Sequence, residues 1–197
     1  MGQRETYDLM KHIDSMHPNL TRDRAMDFGC GVGRVTQPLA HYFNYVCGVD
    51  ISPTMIELAR KYNQYPDRCQ FYLNEADDLS AFEDSSFSLV YSNLTLQHME
   101  KKYFMTYLRE FLRVLTREGL IVFQMPSNPP FKTRLLGPIY WRLPFYHSIR
   151  FGGKMEMHWV EKNELQEFSS NNGGRILEAV ERSTKGWRNY RYCVTKD

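Results

Sequence analysis

The chain of 197 residues has no apolar run approaching the roughly 20 residues that a bilayer-spanning helix needs, which excludes a transmembrane segment of that kind. Its first seven residues, Met1 to Tyr7, are too polar to open the apolar stretch of a secretory signal, so a cytoplasmic location is expected. Cysteine is scarce. Cys30, Cys47, Cys69 and Cys193 show neither paired nor metal-ligand spacing, so no disulfide framework and no metal are expected. Three of them lie in or beside apolar runs or a glycine-rich turn, which suits small buried thiols in a reducing compartment. The chain also lacks a large charge of either sign: a net +2 is too slight for electrostatic binding of nucleic acid.

What is present fits one globular domain over residues 1–197, with 42% hydrophobic residues to build a core. Strand-like runs fall at 24–28, 45–50, 69–73, 87–92, 119–125, 175–182 and 189–195. Helical patterns fall at 6–16, 34–43, 53–63, 101–116 and 160–171. The pattern at 101–116 is the clearest, because Phe104, Leu108, Phe111 and Leu115 recur at helical spacing, with Gly119 as its stop. Ser52 and Pro53 read as the N-cap and first residue of the helix at 53–63. Alternation of strand and helix predicts an α/β fold: a three-layer, doubly wound, seven-stranded, mostly parallel sheet with helices on both faces. The last two runs are joined by only Ser183 to Arg188, too short for a parallel crossover, so the C-terminal strand is expected to be antiparallel.

The most informative stretch is Arg24 to Gly33. An apolar run carries an acid, Asp27, and glycines then fall at alternate positions, Gly29, Gly31 and Gly33. A strand, a tight glycine turn and a helix start bring backbone close to a nucleotide-like ligand. A dinucleotide-binding loop, G-x-G-x-x-G, would place a glycine at 34, where this chain has Arg34. Asp50 ends the next strand-like run, about 20 residues beyond the loop, where a carboxylate can accept both hydroxyls of a ribose. A third acidic stretch, Asn74 to Leu79, follows the third strand.

The pattern Asp27-x-Gly29-x-Gly31-x-Gly33, with Asp50 and the 74–79 segment, resembles the class I S-adenosylmethionine-dependent methyltransferases, in the branch acting on small molecules. The resemblance runs from about residue 20 to the C-terminus and is specific at 27–33 and 50. It implies S-adenosyl-L-methionine as cofactor and S-adenosyl-L-homocysteine as product. It further implies a cofactor site made of Asp27, Gly29, Cys30, Gly31 and Gly33, with Asp50 and Ile51 at the ribose, and Ala76 and Asp77 at the adenine. Ser92, Asn93 and Leu94 would lie along the methionine arm. Glu75 stands where the family usually has aspartate. An NAD-dependent oxidoreductase shares the sheet and the ribose acid and remains an alternative, as does a methyltransferase-like protein that binds cofactor without turnover. No Asn-Pro-Pro-Tyr or Asp-Pro-Pro-Tyr follows the fourth strand; Asn128-Pro129-Pro130-Phe131 follows the fifth, so nucleic acid is not the expected acceptor.

The acceptor side reads differently. Residues 127–159 interrupt the alternation with seven aromatics and four prolines, and a loop-rich stretch of that length in a compact domain is usually functional. A lid or substrate insertion over the ligand edge is expected, with Tyr140, Trp141, His147, Arg150 and His158 as acceptor-binding candidates; packing of the same aromatics onto the protein's own helices is the competing reading. Residues 69–100 carry six acids and no Lys or Arg, whereas 128–159 carry five cations against Glu156. That asymmetry suggests a small acceptor that is anionic or amphipathic. A hydroxyl or ammonium acceptor needs a base, and His98, just past the fourth strand, is the candidate. Monomer and homodimer are both open.

Overall fold

The computed structural model describes residues 2–128, 157–182 and 188–196. These form one seven-stranded sheet in the order β3-β2-β1-β4-β5-β7-β6. The strands are β1 (Arg24–Phe28), β2 (Tyr45–Asp50), β3 (Cys69–Leu73), β4 (Phe87–Ser92), β5 (Leu115–Asn128), β6 (Gly174–Glu181) and β7 (Arg188–Lys196). The helices are α1 (Gly2–Met16), α2 (Thr36–Leu39), α3 (Pro53–Lys61), α4 (Lys101–Val114) and α5 (Lys162–Asn171), with a 3₁₀ turn at Leu96–His98. Strands β1 to β5 pair in parallel, and β7 slots antiparallel between β5 and β6. The order reverses at β1, which opens a crevice between β1 and β4 at the carboxyl ends of the strands.

Both faces of the sheet are apolar, and successive residues alternate between two cores. Met26, Val90, Ile121 and Phe123 join Phe104, Phe111 and Leu165 on the side of α4 and α5. Ala25, Leu89, Leu120 and Val122 join Leu9, Ile13, Leu39 and Ile56 on the side of α1, α2 and α3. This period of two on both faces is what a covered sheet requires.

Three boundaries depart from the sequence pattern. Helix α2 is one turn rather than the expected ten residues. Pro38 lacks an N–H, and the chain tightens into i→i+3 bonds from Ala40 to Gln37 and from His41 to Pro38 before β2. Helix α1 starts four residues earlier than its apolar stripe, with Gly2 buried against Arg34. Helix α4 stops at Val114 rather than at 116, because Leu115 already pairs with Phe87; residues 116–119 bulge before pairing resumes at Leu120, and Glu118 takes the left-handed turn at φ 64°. Helix α3 begins as expected, with Ser52 Oγ accepting from Met55 N.

The candidate cofactor and acceptor sites

The glycine loop leaves β1 with Gly29 N and Cys30 N both donating to Val49 O of β2. Gly29 sits at φ 77°, and a Cβ there would fall 2.0 Å from Thr95 Oγ1, so the β4 exit packs directly on it. Gly31, at φ 54°, has open space where a Cβ would go, and its N–H donates 2.8 Å to Asp50 Oδ2. The other Asp50 oxygen accepts from Ser52 N at 2.9 Å. One carboxylate thus clamps the glycine loop to the start of α3, with lone pairs left over for a ligand. Gly33 does a different job, since a Cβ there would meet the Phe71 ring at 2.7 Å.

Beneath the loop Asp27 is buried and accepts from Thr36 Oγ1 at 2.6 Å. Loss of hydration pushes its carboxyl up to about 6 despite that hydrogen bond. On the outer side Glu5 of α1 binds three side chains at once. Arg34 pairs with it, Asn93 Nδ2 donates at 2.7 Å and Tyr91 Oη at 3.0 Å. Burial opposes ionisation of Glu5, but the hydrogen bonds from Arg34, Asn93 and Tyr91 outweigh it and hold the carboxyl below its ordinary value.

The loop, Asp50 and the 74–79 segment border a cavity of about 490 Å³, a size that suits a cofactor. Gly29, Asp50, Ile51, Ala76, Asp77 and His98 line it. Cys30 is buried behind the loop, where desolvation raises its thiol and keeps it protonated. Ser92 is buried, and its Oγ has no partner among the described residues. Asn93 faces a second groove with Glu5. Leu94 is 52% exposed at φ 61°, a strained backbone for a branched residue and a common mark of a functional turn. Tyr140, Trp141, His147 and Arg150 lie outside the described residues, as does 129–156 of the expected insertion. The flanks of that segment are pinned together, with Val160 N donating to Pro126 O and Lys162 N to Ser127 Oγ. His158 N donates to Gln97 O, which places His158 beside the turn that carries His98.

Sequence reasoning missed the cavity wall supplied by α4. Tyr103 and Tyr107 lie one turn apart on that helix and both line the cavity. They flank the apolar stripe, and the i, i+4 spacing of two tyrosines was the available signal. Tyr107 Oη donates 2.6 Å to Ala76 O, and Asn74 Nδ2 donates to Ala76 O, Asp78 O and Tyr107 Oη, so these two side chains set the course of the 74–79 segment. Arg113 holds the next stretch through Leu79 O, Phe82 O, Glu110 and Asp84. Tyr107→Phe should cost about 0.5–1.5 kcal/mol in urea unfolding and several-fold in affinity for an adenosine ligand, while Tyr103→Phe should leave stability unchanged. Equal stability of the two variants would remove Tyr107 from this role.

Comparison with known proteins agrees with this geometry. Residues 26–123 match the family model described as a methyltransferase domain. The chain is 33% identical over 126 residues to a malonyl-[acyl-carrier protein] O-methyltransferase of Halorhodospira halophila, covering 61% of this chain and 40% of that protein. It is 33% identical over 108 residues to a demethylmenaquinone methyltransferase of Clavibacter sepedonicus, covering 55% and 43%. The chain therefore spans less than half the length of these two relatives. A magnesium protoporphyrin IX methyltransferase from Synechocystis PCC 6803, solved with bound S-adenosylhomocysteine, superposes at TM-score 0.72 and 18% identity over 99% of this chain and 83% of that one. With the sheet order, the glycine loop and the β2 acid in place, the chain belongs to the class I S-adenosylmethionine-dependent methyltransferases.

Proposed function

We propose that this chain transfers a methyl group from S-adenosylmethionine to a small-molecule acceptor. The observation that carries the reading is Asp50. Its carboxylate stands at the tip of β2, bonded to Gly31 N and Ser52 N, at the wall of the 490 Å³ cavity. The open space beside Gly31 is a cradle that a Cβ would fill, and so fits close approach of a nucleoside. When bound, the cofactor supplies an electrophilic methyl on a sulfonium.

Asp50 would accept from the ribose hydroxyls, with Ile51 packing beside the ring and Ala76 and Asp77 at the adenine edge. Asp50, Glu75, Asp77 and Glu100 all line the cavity, and the negative potential of such a wall favours a cationic ligand. Gly29 and Gly31 would let backbone approach the methionine arm, and Asn93 would stand at its far end. Asp27, Cys30, Gly33, Ser92 and Leu94 would then act by holding the loop and the β4 exit in shape. His98 shares the cavity with Asp50 and is the side chain proposed to take a proton from the acceptor. The insertion at 127–159 is proposed to supply the acceptor side, with His158 next to His98.

No helix among the described residues is long and apolar enough to cross a membrane. The acceptor is proposed to be anionic or amphipathic and the location cytoplasmic. Calorimetry should show S-adenosylhomocysteine binding in the micromolar range, on the order of −8 kcal/mol, with no heat from NAD. Binding of NAD without S-adenosylhomocysteine would sink the reading. Methylated product by mass spectrometry, from a panel of small carboxylates, phenols and amines, would separate an enzyme from a cofactor-binding scaffold.

A further inference from the structure

A second groove, wider and more polar, lies on the opposite side of the β4 exit. It measures about 910 Å³ and runs between α1 and strands β4, β5 and β7. Arg4 and Lys11 reach it from α1, Gln124 from β5, Arg191 from β7, and Arg182 from just after β6. Two acids also line it. Glu5 is already bonded to Arg34, Tyr91 and Asn93, which leaves Asp8 as the acid without such bonds. Among the described residues none of Arg4, Lys11, Arg182 and Arg191 has an ion pair. The Nε of Arg191 is buried and has no acceptor at all among them. A partly buried guanidinium without an acceptor is costly, and an anion bound in the groove beside it would offset that cost by neutralising the charge.

We infer that this groove binds a carboxylate or phosphate group, and that the anion belongs to the methyl acceptor. Arginine presents a planar fork that grips such groups through paired charge-assisted bonds, and the lysine and two further arginines add field without adding acceptors. The placement fits an acceptor rather than a remote effector. Asn93 lines this groove, and Thr95, two residues on, lines the cofactor cavity, with Thr95 Oγ1 donating 3.3 Å to Asn93 O. One turn of chain therefore separates the two spaces. The inference rests on the methyl-transfer reading for what the anion is attached to, but the anion site itself does not.

The cofactor's own methionine carboxylate shares this chemistry, so the experiment must tell the two sources apart. Malonate and inorganic phosphate serve as probes, added at constant ionic strength to full-length protein saturated with S-adenosylhomocysteine and followed by calorimetry. Both should bind, with chloride as the inactive control. Arg191→Gln and Arg4→Gln should each weaken them, Arg191→Gln by roughly tenfold or more. Affinity for S-adenosylhomocysteine should change by less than about twofold, since both variants leave its proposed contacts alone. Arg4 is exposed on α1, so its variant keeps the test readable if Arg191→Gln fails to fold.

Two results overturn the inference. One is absence of any malonate or phosphate binding beyond the chloride control. The other is a loss of S-adenosylhomocysteine affinity in Arg191→Gln with 5′-methylthioadenosine affinity unchanged, which would give the cations to the cofactor's amino-acid end. Failure of the wild type to bind S-adenosylhomocysteine would instead count against the methyl-transfer reading, and anion binding would then be read without it.

Discussion

Asp50→Ala should weaken S-adenosylhomocysteine binding on the order of a hundredfold, with secondary structure and unfolding cooperativity intact. Two hydrogen bonds from a ribose to a charged acceptor contribute roughly 1.5–3 kcal/mol each, and the proposal gives both to this one carboxylate. The structure adds a second route to the same loss. Asp50 also accepts from Gly31 N and Ser52 N, so its removal frees the glycine loop from the start of α3. Asp50→Asn separates the two contributions. Its amide oxygen can keep one backbone bond while the charge is lost, so its defect should fall between wild type and alanine. Calorimetry on all three proteins reads this directly, and 2′,3′-dideoxy cofactor analogues sharpen it. If the wild type binds the analogue about as tightly as the natural ligand, Asp50 holds the loop and not the ribose. An unchanged dissociation constant for Asp50→Ala removes the residue from the site altogether.

How much of this was legible in the sequence depends on the range of the interaction involved. The central strands were readable because each carries a short apolar run bounded by turn residues, as a sheet buried on both faces requires. The glycine loop and Asp50 were readable because their spacing is set by one local unit, strand–turn–helix–strand. The long-range partners were not. Nothing near Glu5 in the chain announces that it will meet Arg34, Tyr91 and Asn93, since the docking of α1 across the sheet brings them together. Tyr107 reaches Ala76 because α4 packs on the sheet face against Phe28 at the end of β1, a fact of packing rather than of spacing. The β5 boundary failed for a related reason: pairing with Phe87 takes Leu115 away from the helix that its periodicity favours.

Asp27 shows where the same loop stores a pH dependence. Its carboxyl is buried at the end of β1, and Thr36, at the first turn of α2, is its hydrogen-bond donor. That one bond joins the residues entering and leaving the glycine loop. Desolvation lifts the folded-state pKa to about 6 from an ordinary 3.8, so the folded state holds this proton more tightly than the unfolded chain. The sign follows from linkage. The stabilising contribution is complete below the ordinary value of 3.8 and is lost as pH rises through about 6. That rise from 3.8 to about 6 corresponds to roughly 3 kcal/mol. Glu5 and Glu110, held below their ordinary values, contribute in the opposite direction, so the wild-type curve alone would mix the two. Asp27→Asn isolates the group, because its amide oxygen still accepts from Thr36 and every other acid is shared. Urea unfolding of both proteins from roughly pH 4 to pH 7.5 should show the stability of the wild type falling relative to the variant, by about 2–3 kcal/mol, with the change spread between about pH 4 and pH 6 and little beyond. Parallel curves across that range would mean that Asp27 titrates in the folded protein as it does in the unfolded chain. The carboxylate bonded to Thr36 would then be charged across that range, its loss of hydration offset by its hydrogen bonds.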